Sequence, residues 1–180
     1  MKRIVLTFGL ISGAIMGGMM VLSMVFFHDQ IGFSDKGLIV GYTSMVLAFL
    51  MVFFGVKSYR DNVAGGTVKF GRAFRVGFLI MLVGIVCYVA AWQVVYYKFM
   101  PDFTDKYAAY AVAKAKSSGA TEAQVAEKQK EMAEFAAMYK NPLVNIAFTV
   151  MEPLPVGLII TLVTAGVLSR KRRDQDAAVA

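Results

Sequence analysis

Apolar residues along this chain collect in four long stretches that carry almost no charge. The stretches are residues 4–27, 38–56, 76–97 and 143–168. A helix rising about 1.5 Å per residue needs roughly 20 residues to cross the hydrocarbon of a bilayer, and each stretch is close to or above that length. Because the hydrocarbon offers no water to bond the backbone, each crossing must be helical. The pattern predicts an all-α polytopic membrane protein, with four transmembrane helices forming one four-helix bundle domain over residues 1–180.

The segment between the third and fourth stretches, residues 98–142, is too long and too regular for a simple connection. Alanine and lysine, both good helix formers, dominate residues 105–117. Thr121 and Gln124 have the spacing of a capping box, and Pro142 suits the start of the fourth membrane helix. The sequence predicts an extramembrane helical hairpin here. It is either a lid or docking surface, or a connector whose aromatic residues lie at the membrane interface.

Basic residues are distributed unevenly between the two sides of the predicted bundle. All seven arginines lie at the N-terminus, between the second and third stretches, or at the C-terminus. An excess of basic residues close to membrane ends marks the cytoplasmic side, so both termini are expected to be cytoplasmic, with residues 98–142 outside. Lys69, Arg72 and Arg75 are predicted to lie on an interfacial helix that binds anionic lipid headgroups. Membrane topology thus explains the net charge of +7 without a nucleic-acid partner.

The residue inventory offers little for catalysis or metal binding. Cys87 is the single cysteine and His28 the single histidine, so neither a disulfide within the chain nor a cysteine–histidine metal site is expected. His28, beside Asp29, is interpreted as a solvated loop residue. Nucleophile-elbow, phosphate-loop and dinucleotide-binding motifs are absent from the sequence. We therefore expect no enzymatic activity, no catalytic residue, no cofactor and no metal.

Small residues recur along the predicted membrane helices. Gly9, Gly13 and Gly17 form a doubled G-x-x-x-G on the first, and Gly84 lies on a small face of the third. Helices in lipid associate by close packing, which glycine permits. Internal packing of the bundle is the favoured interpretation, and homodimerisation is the alternative.

Glu152 is the unusual residue of the fourth stretch. It is expected about 5 Å from the bilayer centre, where a charge is costly, so it should face the bundle interior or water, or be protonated. Pro153 and Pro155 follow and predict a kink that leaves backbone carbonyls without their usual donors. Hydroxyl side chains at a similar depth are Tyr88, Thr43 and Ser44, with Tyr88 the expected partner. Glu152 either binds a proton or ligand in a polar cleft, or holds the bundle together through a hydrogen bond.

Several segments resemble a known bacterial family. They are residues 41–49, 54–61, 65–66, 70–77, 102–110, 139–142 and 151–157. Together they resemble the bacterial inner-membrane family named domain of unknown function 4199, which implies a four-helix membrane protein of the bacterial inner membrane. The family provides no activity, cofactor or catalytic residue to carry over. The leading hypothesis is a non-enzymatic structural, scaffold or partner-binding protein, whose partner is either a second copy of the chain or another membrane protein. The alternative is a small proton- or cation-coupled transporter or channel subunit built around Glu152.

Overall fold

A computed structural model of the protein describes residues 1–27 and 35–170, and within these ranges the chain forms helices and no strand. The helices are α1 (Lys2–Phe27), α2 (Asp35–Asn62), α3 (Phe70–Lys98), α4 (Phe103–Ser117), α5 (Glu122–Tyr139), α6 (Pro142–Met151) and α7 (Pro153–Leu168). His28 and Asp29, and the basic residues 171–173, lie outside the described ranges.

Four helical segments are long and apolar enough to cross a membrane. They are Lys2–Ser23, Gly37–Asn62, Phe70–Lys98 and Pro142–Leu168, the last made of α6 and α7 together. This confirms the predicted fold class, an all-α polytopic membrane protein with four spanning helices.

The connection between α2 and α3 is much shorter than the sequence pattern suggested. Helix α2 continues to Asn62, and α3 begins at Phe70, so only residues 63–69 connect them. Hydropathy marks where the hydrocarbon ends, and polar residues such as those at the end of α2 can continue the helix into the headgroup region. Arg72 and Arg75, predicted on an interfacial helix that leads into the third membrane helix, lie in the first turns of α3 itself, and their contact with lipid headgroups stays a prediction.

The membrane helices pack around one apolar core. Helix α1 packs against α2 and α3, and α7 packs against the other side of both. Phe49 and Val52 of α2, Ile80 and Met81 of α3 and Ala165 of α7 are fully buried where these helices meet. This part of the bundle is closely packed.

Three glycines of α1 lie at its contact with α3. Each faces a side chain of α3, in the pairs Gly9–Val83, Gly13–Cys87 and Gly17–Ala91. A Cβ added at Gly9 would lie 2.6 Å from the Val83 Cβ. Helix α3 contributes a small residue in return, since a Cβ at Gly84 would lie 3.0 Å from the Ser12 hydroxyl. The stripe of small residues therefore packs within the monomer.

Helices α4 and α5 lie between α3 and α6 in the chain and pack against each other. Gly119, with φ of 82°, occurs in the turn between them, and Thr121 caps α5 in a complete capping box with Gln124. An aromatic cluster joins the pair to α3, and in it the Trp92 and Phe103 rings are 4.9 Å apart. Tyr139, at the end of α5, is buried in the same cluster.

Candidate functional site

The fourth membrane segment is interrupted at Glu152. Helix α6 ends at Met151 and α7 begins at Pro153, with the Glu152 amide donating to the Phe148 carbonyl at 3.3 Å. Because Pro153 and Pro155 have no N–H, the carbonyls four residues before them lose their usual donors. The predicted interruption is therefore present, and it places a carboxylate at the break.

Tyr88 of α3 is the hydrogen-bond partner of Glu152. Its hydroxyl donates to Oε2 of the carboxylate at 3.2 Å. The structure does not bring the other two hydroxyls expected at this depth to the same place. Ser44 donates to the Val40 carbonyl on its own helix at 2.7 Å, as serine in a helix often does. Thr43 is exposed.

Further polar contacts continue from this pair along α3. The Gln93 amide donates to Oδ1 of Asn145 at 2.7 Å, and the Trp92 indole donates to the Tyr139 hydroxyl at 3.0 Å. Thr149 donates to the backbone carbonyl of Asn145 at 2.8 Å. A polar face of α3 therefore meets α5 and α6 in this half of the bundle.

Two side chains of this network are buried away from solvent. Asn145 is fully buried, and within the described part of the chain its Nδ2 has no hydrogen-bond partner. Burial raises the pKa of the Tyr139 phenol, so the hydroxyl stays neutral and can both donate and accept. This role of Tyr139 was not predictable from the sequence, because its position depends on how α5 folds back over α3.

A cavity of about 840 Å³ opens beside the Glu152–Tyr88 pair. It lies between the start of α2, the later half of α3, the α4–α5 pair and α6. Its walls are largely aromatic and include Tyr88, Trp92, Tyr107, Phe135, Tyr139 and Phe148. The exposed carboxylate of Glu152 therefore lies at the wall of a roomy space and not in a packed core.

The charged groups of the cavity wall are placed on different helices. Glu152 follows α6, whereas Lys114 and Lys128 come from α4 and α5. Lys128 forms an ion pair with Glu131 at 2.8 Å, and the Lys114 ammonium lies 5.9 Å from the centre of the Tyr110 ring. Among the described residues, no lysine or arginine forms an ion pair with Glu152.

The predicted lipid-contacting residues lie around the beginning of α3. Lys69 is the N-cap residue, and Arg72 and Arg75 follow on the first turns, all three exposed. Phe70 and Phe74 stack with ring centres 6.3 Å apart. Basic and aromatic side chains therefore occur together where the helix starts.

The described residues contain no group of three or more histidine, cysteine, aspartate and glutamate side chains that could hold a metal ion. Cys87 packs against Gly13 at the contact between α1 and α3. The predicted loop histidine, His28, lies outside the part of the chain that the structure describes.

Four apolar helical segments, one of them interrupted at a carboxylate, define a multi-pass α-helical membrane protein. Residues 7–170 match the family described as protein of unknown function, DUF4199. Because the match covers nearly the whole chain, the protein belongs to this family, as its sequence motifs predicted. No curated protein and no solved structure matches the chain.

Proposed function

We propose that the protein is a non-enzymatic, multi-pass membrane protein that binds an amphiphilic partner molecule in the cavity beside Glu152. One observation carries the proposal: a cavity of about 840 Å³, walled by aromatic side chains, reaches an intramembrane carboxylate. A purely structural role for Glu152 would be served by a dry, packed site. Ligand sites are typically apolar clefts of about 300–1,000 Å³ with a few convergent polar groups, which matches this arrangement.

The groups around the cavity favour binding over catalysis. The partner of Glu152 is a phenol, and the Thr149 hydroxyl donates to a backbone carbonyl. A nucleophile activated by an adjacent base is the usual requirement of hydrolytic catalysis. The described cavity wall contains neither a cysteine nor a histidine.

Trp92 provides a direct test, because it is the only tryptophan of the chain and lines the cavity. We expect a neutral alkyl glycoside with a brominated chain to quench Trp92 fluorescence saturably in lipid nanodiscs. Bromine quenches indole on contact, so the signal reports occupancy next to Tyr88, one turn away on α3.

Two matched variants of α4 separate cavity binding from simple partition into lipid. Ala111 lines the cavity, whereas Ala113 on the same helix is exposed and does not. Ala111→Phe should fill the space and weaken saturable quenching, while Ala113→Phe should leave it unchanged. Quenching that rises linearly with the probe, equally in both variants, would refute the proposed site.

The second candidate is a small proton- or cation-coupled transporter or channel subunit that works as an oligomer. The interruption at Glu152 favours it, because broken membrane helices expose backbone carbonyls at ion sites. Proton flux into liposomes that depends on the protein and is abolished by Glu152→Gln would favour this candidate. Ligand binding without flux would favour the first.

We further propose that the protein resides in the bacterial inner membrane with both termini in the cytoplasm. Lys69, Arg72 and Arg75 would then contact anionic headgroups, at about 1 kcal/mol for each basic residue near the surface. Replacing all three by glutamine should reduce the anionic lipid that copurifies with the protein. The matched control replaces Lys116, Lys130 and Lys140, exposed lysines of the α4–α5 region.

A further inference from the structure

We propose that the cavity recognises an organic cation, an ammonium group carried on an apolar chain, with Glu152 as the counter-ion. The inference rests on the proposed ligand-binding function and specifies the chemistry of the ligand. It follows from three features of the cavity wall: an intramembrane carboxylate that pairs with no basic side chain of the described residues, aromatic rings on the same wall, and a volume far larger than a bare ion.

The charge of Glu152 favours a cationic ligand. An ionisable residue at membrane depth usually pairs with an opposite charge or faces a polar cavity. Glu152 has a tyrosine hydroxyl as its partner, and no lysine or arginine of the described chain pairs with it. The nearest basic side chains along the cavity wall, Lys114 and Lys128, lie on the α4–α5 pair and make other contacts. A cationic ligand would complete the charge balance of the carboxylate.

The aromatic rings of the cavity wall also favour a cationic ligand. Tyr88 touches the carboxylate, and Trp92, Tyr139 and Phe148 line the same wall. Aromatic faces attract cations, most strongly where water is excluded, and sets of such rings recognise quaternary ammonium groups. The Trp92 indole N–H donates to the Tyr139 hydroxyl at 3.0 Å. Because this hydrogen bond is already made, the two rings need no polar partner from the ligand.

An organic cation fits the site better than a metal ion does. Hard metal cations take six or more oxygen ligands at short distance, often from several carboxylates. Among the described residues of the cavity wall Glu152 is the only carboxylate, and its hydrogen-bond partner is a single phenol. The cavity continues from Glu152 along α4 as far as Ser118. From Phe103 to Ser118 the helix rises roughly 22 Å, enough to accompany an alkyl chain. An amphiphile with an ammonium head and an apolar body fits both ends of the space.

The overall charge of the protein opposes the binding of a cation, so a preference for a cationic probe is a strict test of the local site. The formal net charge is +7, so non-specific electrostatics would disfavour a cationic probe. Any selectivity for a cation must therefore come from the local site.

The test compares dodecyltrimethylammonium with dodecyldimethylamine oxide, which has the same chain and a similar head but no net charge. Each is titrated below its micelle concentration against the brominated glycoside, with zwitterionic nanodiscs and recovery of Trp92 fluorescence as the readout. We expect the ammonium probe to bind about tenfold more tightly than the amine oxide, as a partly desolvated cation–π and charge contact allows. Glu152→Gln should remove this difference by weakening the ammonium probe alone.

Glu134→Gln is the control. It removes the same charge as Glu152→Gln, but Glu134 is exposed on α5 and does not line the cavity. The Glu134→Gln variant should keep the full preference for the ammonium probe over the amine oxide. Equal affinity of the two probes for the wild-type protein, or a preference that survives Glu152→Gln, would overturn the cation assignment while leaving the cavity as a ligand site. Failure of both probes and of the brominated glycoside to bind would overturn the proposed function itself. The wild-type comparison decides the question even if Glu152→Gln does not fold.

Discussion

At the scale of single residues, two hydrogen bonds on α3 differ in their surroundings. The Tyr88–Glu152 pair borders the cavity, where water or a ligand can reach both groups. The Trp92 and Tyr139 rings also line the cavity, but the two residues are only 7% and 6% exposed and the hydrogen bond between them is buried. A buried donor that loses its acceptor carries a full desolvation penalty, whereas an accessible one is rescued by water. The first pair is therefore suited to binding and the second to holding α5 on α3.

This difference predicts the order of two phenylalanine variants. Tyr139→Phe leaves the Trp92 N–H without its acceptor and should cost about 1–3 kcal/mol of stability. Tyr88→Phe should cost clearly less, because the Glu152 carboxylate remains accessible from the cavity. Thermal unfolding in detergent, followed by circular dichroism, measures both. A Tyr88→Phe variant as destabilised as Tyr139→Phe would show that the Glu152 pair is a structural element.

Depth in the membrane was enough to predict the Tyr88–Glu152 contact but not its neighbours. Counting residues from each membrane face gives depth, and Tyr88 indeed meets Glu152. Depth does not show which way a helix faces. For this reason Thr43 and Ser44 were expected at the same site as Glu152, whereas the structure places them elsewhere. Tyr139 could not be found this way, because it reaches the site from outside the four apolar stretches.

At the scale of helices, local signals were the most reliable. The capping box at Thr121 and the proline start of α6 require only neighbouring residues, and both are present. The end of α2 and the start of α3 were misplaced, because polar residues continue both helices beyond the apolar stretches. The cavity itself was not predictable, since it depends on how α4 and α5 pack over the bundle.

The α1–α3 contact gives a prediction with an internal control. A methyl group at Gly13 would overlap the Cβ of Cys87, whereas Gly18 has open space around its Cα. Gly13→Ala should destabilise the protein by about 1–3 kcal/mol through overpacking, and Gly18→Ala should be neutral or slightly stabilising. Combining Gly13→Ala with Cys87→Gly should recover part of the loss. The unfolding midpoints of the variants in detergent measure these effects. Equal midpoints for Gly13→Ala and Gly18→Ala would contradict the close contact between α1 and α3.

At the scale of the whole molecule, the chain combines a packed bundle with a looser outer half. Helices α1, α2, α3 and α7 share the apolar core. Helices α4 and α5 join the bundle through an aromatic cluster and enclose the cavity against α3 and α6. We interpret the closely packed half as the scaffold and the outer half as the part that admits a ligand.

The proposed topology places the two connections on opposite sides of the membrane. Thr67, between α2 and α3, and Ala123, on α5, are both exposed. In a Cys87→Ala background, Ala123→Cys should react with a membrane-impermeant thiol reagent applied to spheroplasts, and Thr67→Cys should react only after lysis. The reverse pattern would invert the topology without affecting the cavity.

The central claim is that a cavity open to water reaches Glu152 inside the membrane, and position 152 can be tested directly. In the Cys87→Ala background, Glu152→Cys is treated with a charged methanethiosulfonate reagent in intact nanodiscs, with mass spectrometry as the readout. Ile159→Cys is the control, because Ile159 is exposed, lies nine residues before the end of α7 and does not line the cavity. We expect modification at position 152 that the brominated glycoside slows, and none at position 159. Position 152 remaining unmodified until the protein is denatured would contradict it.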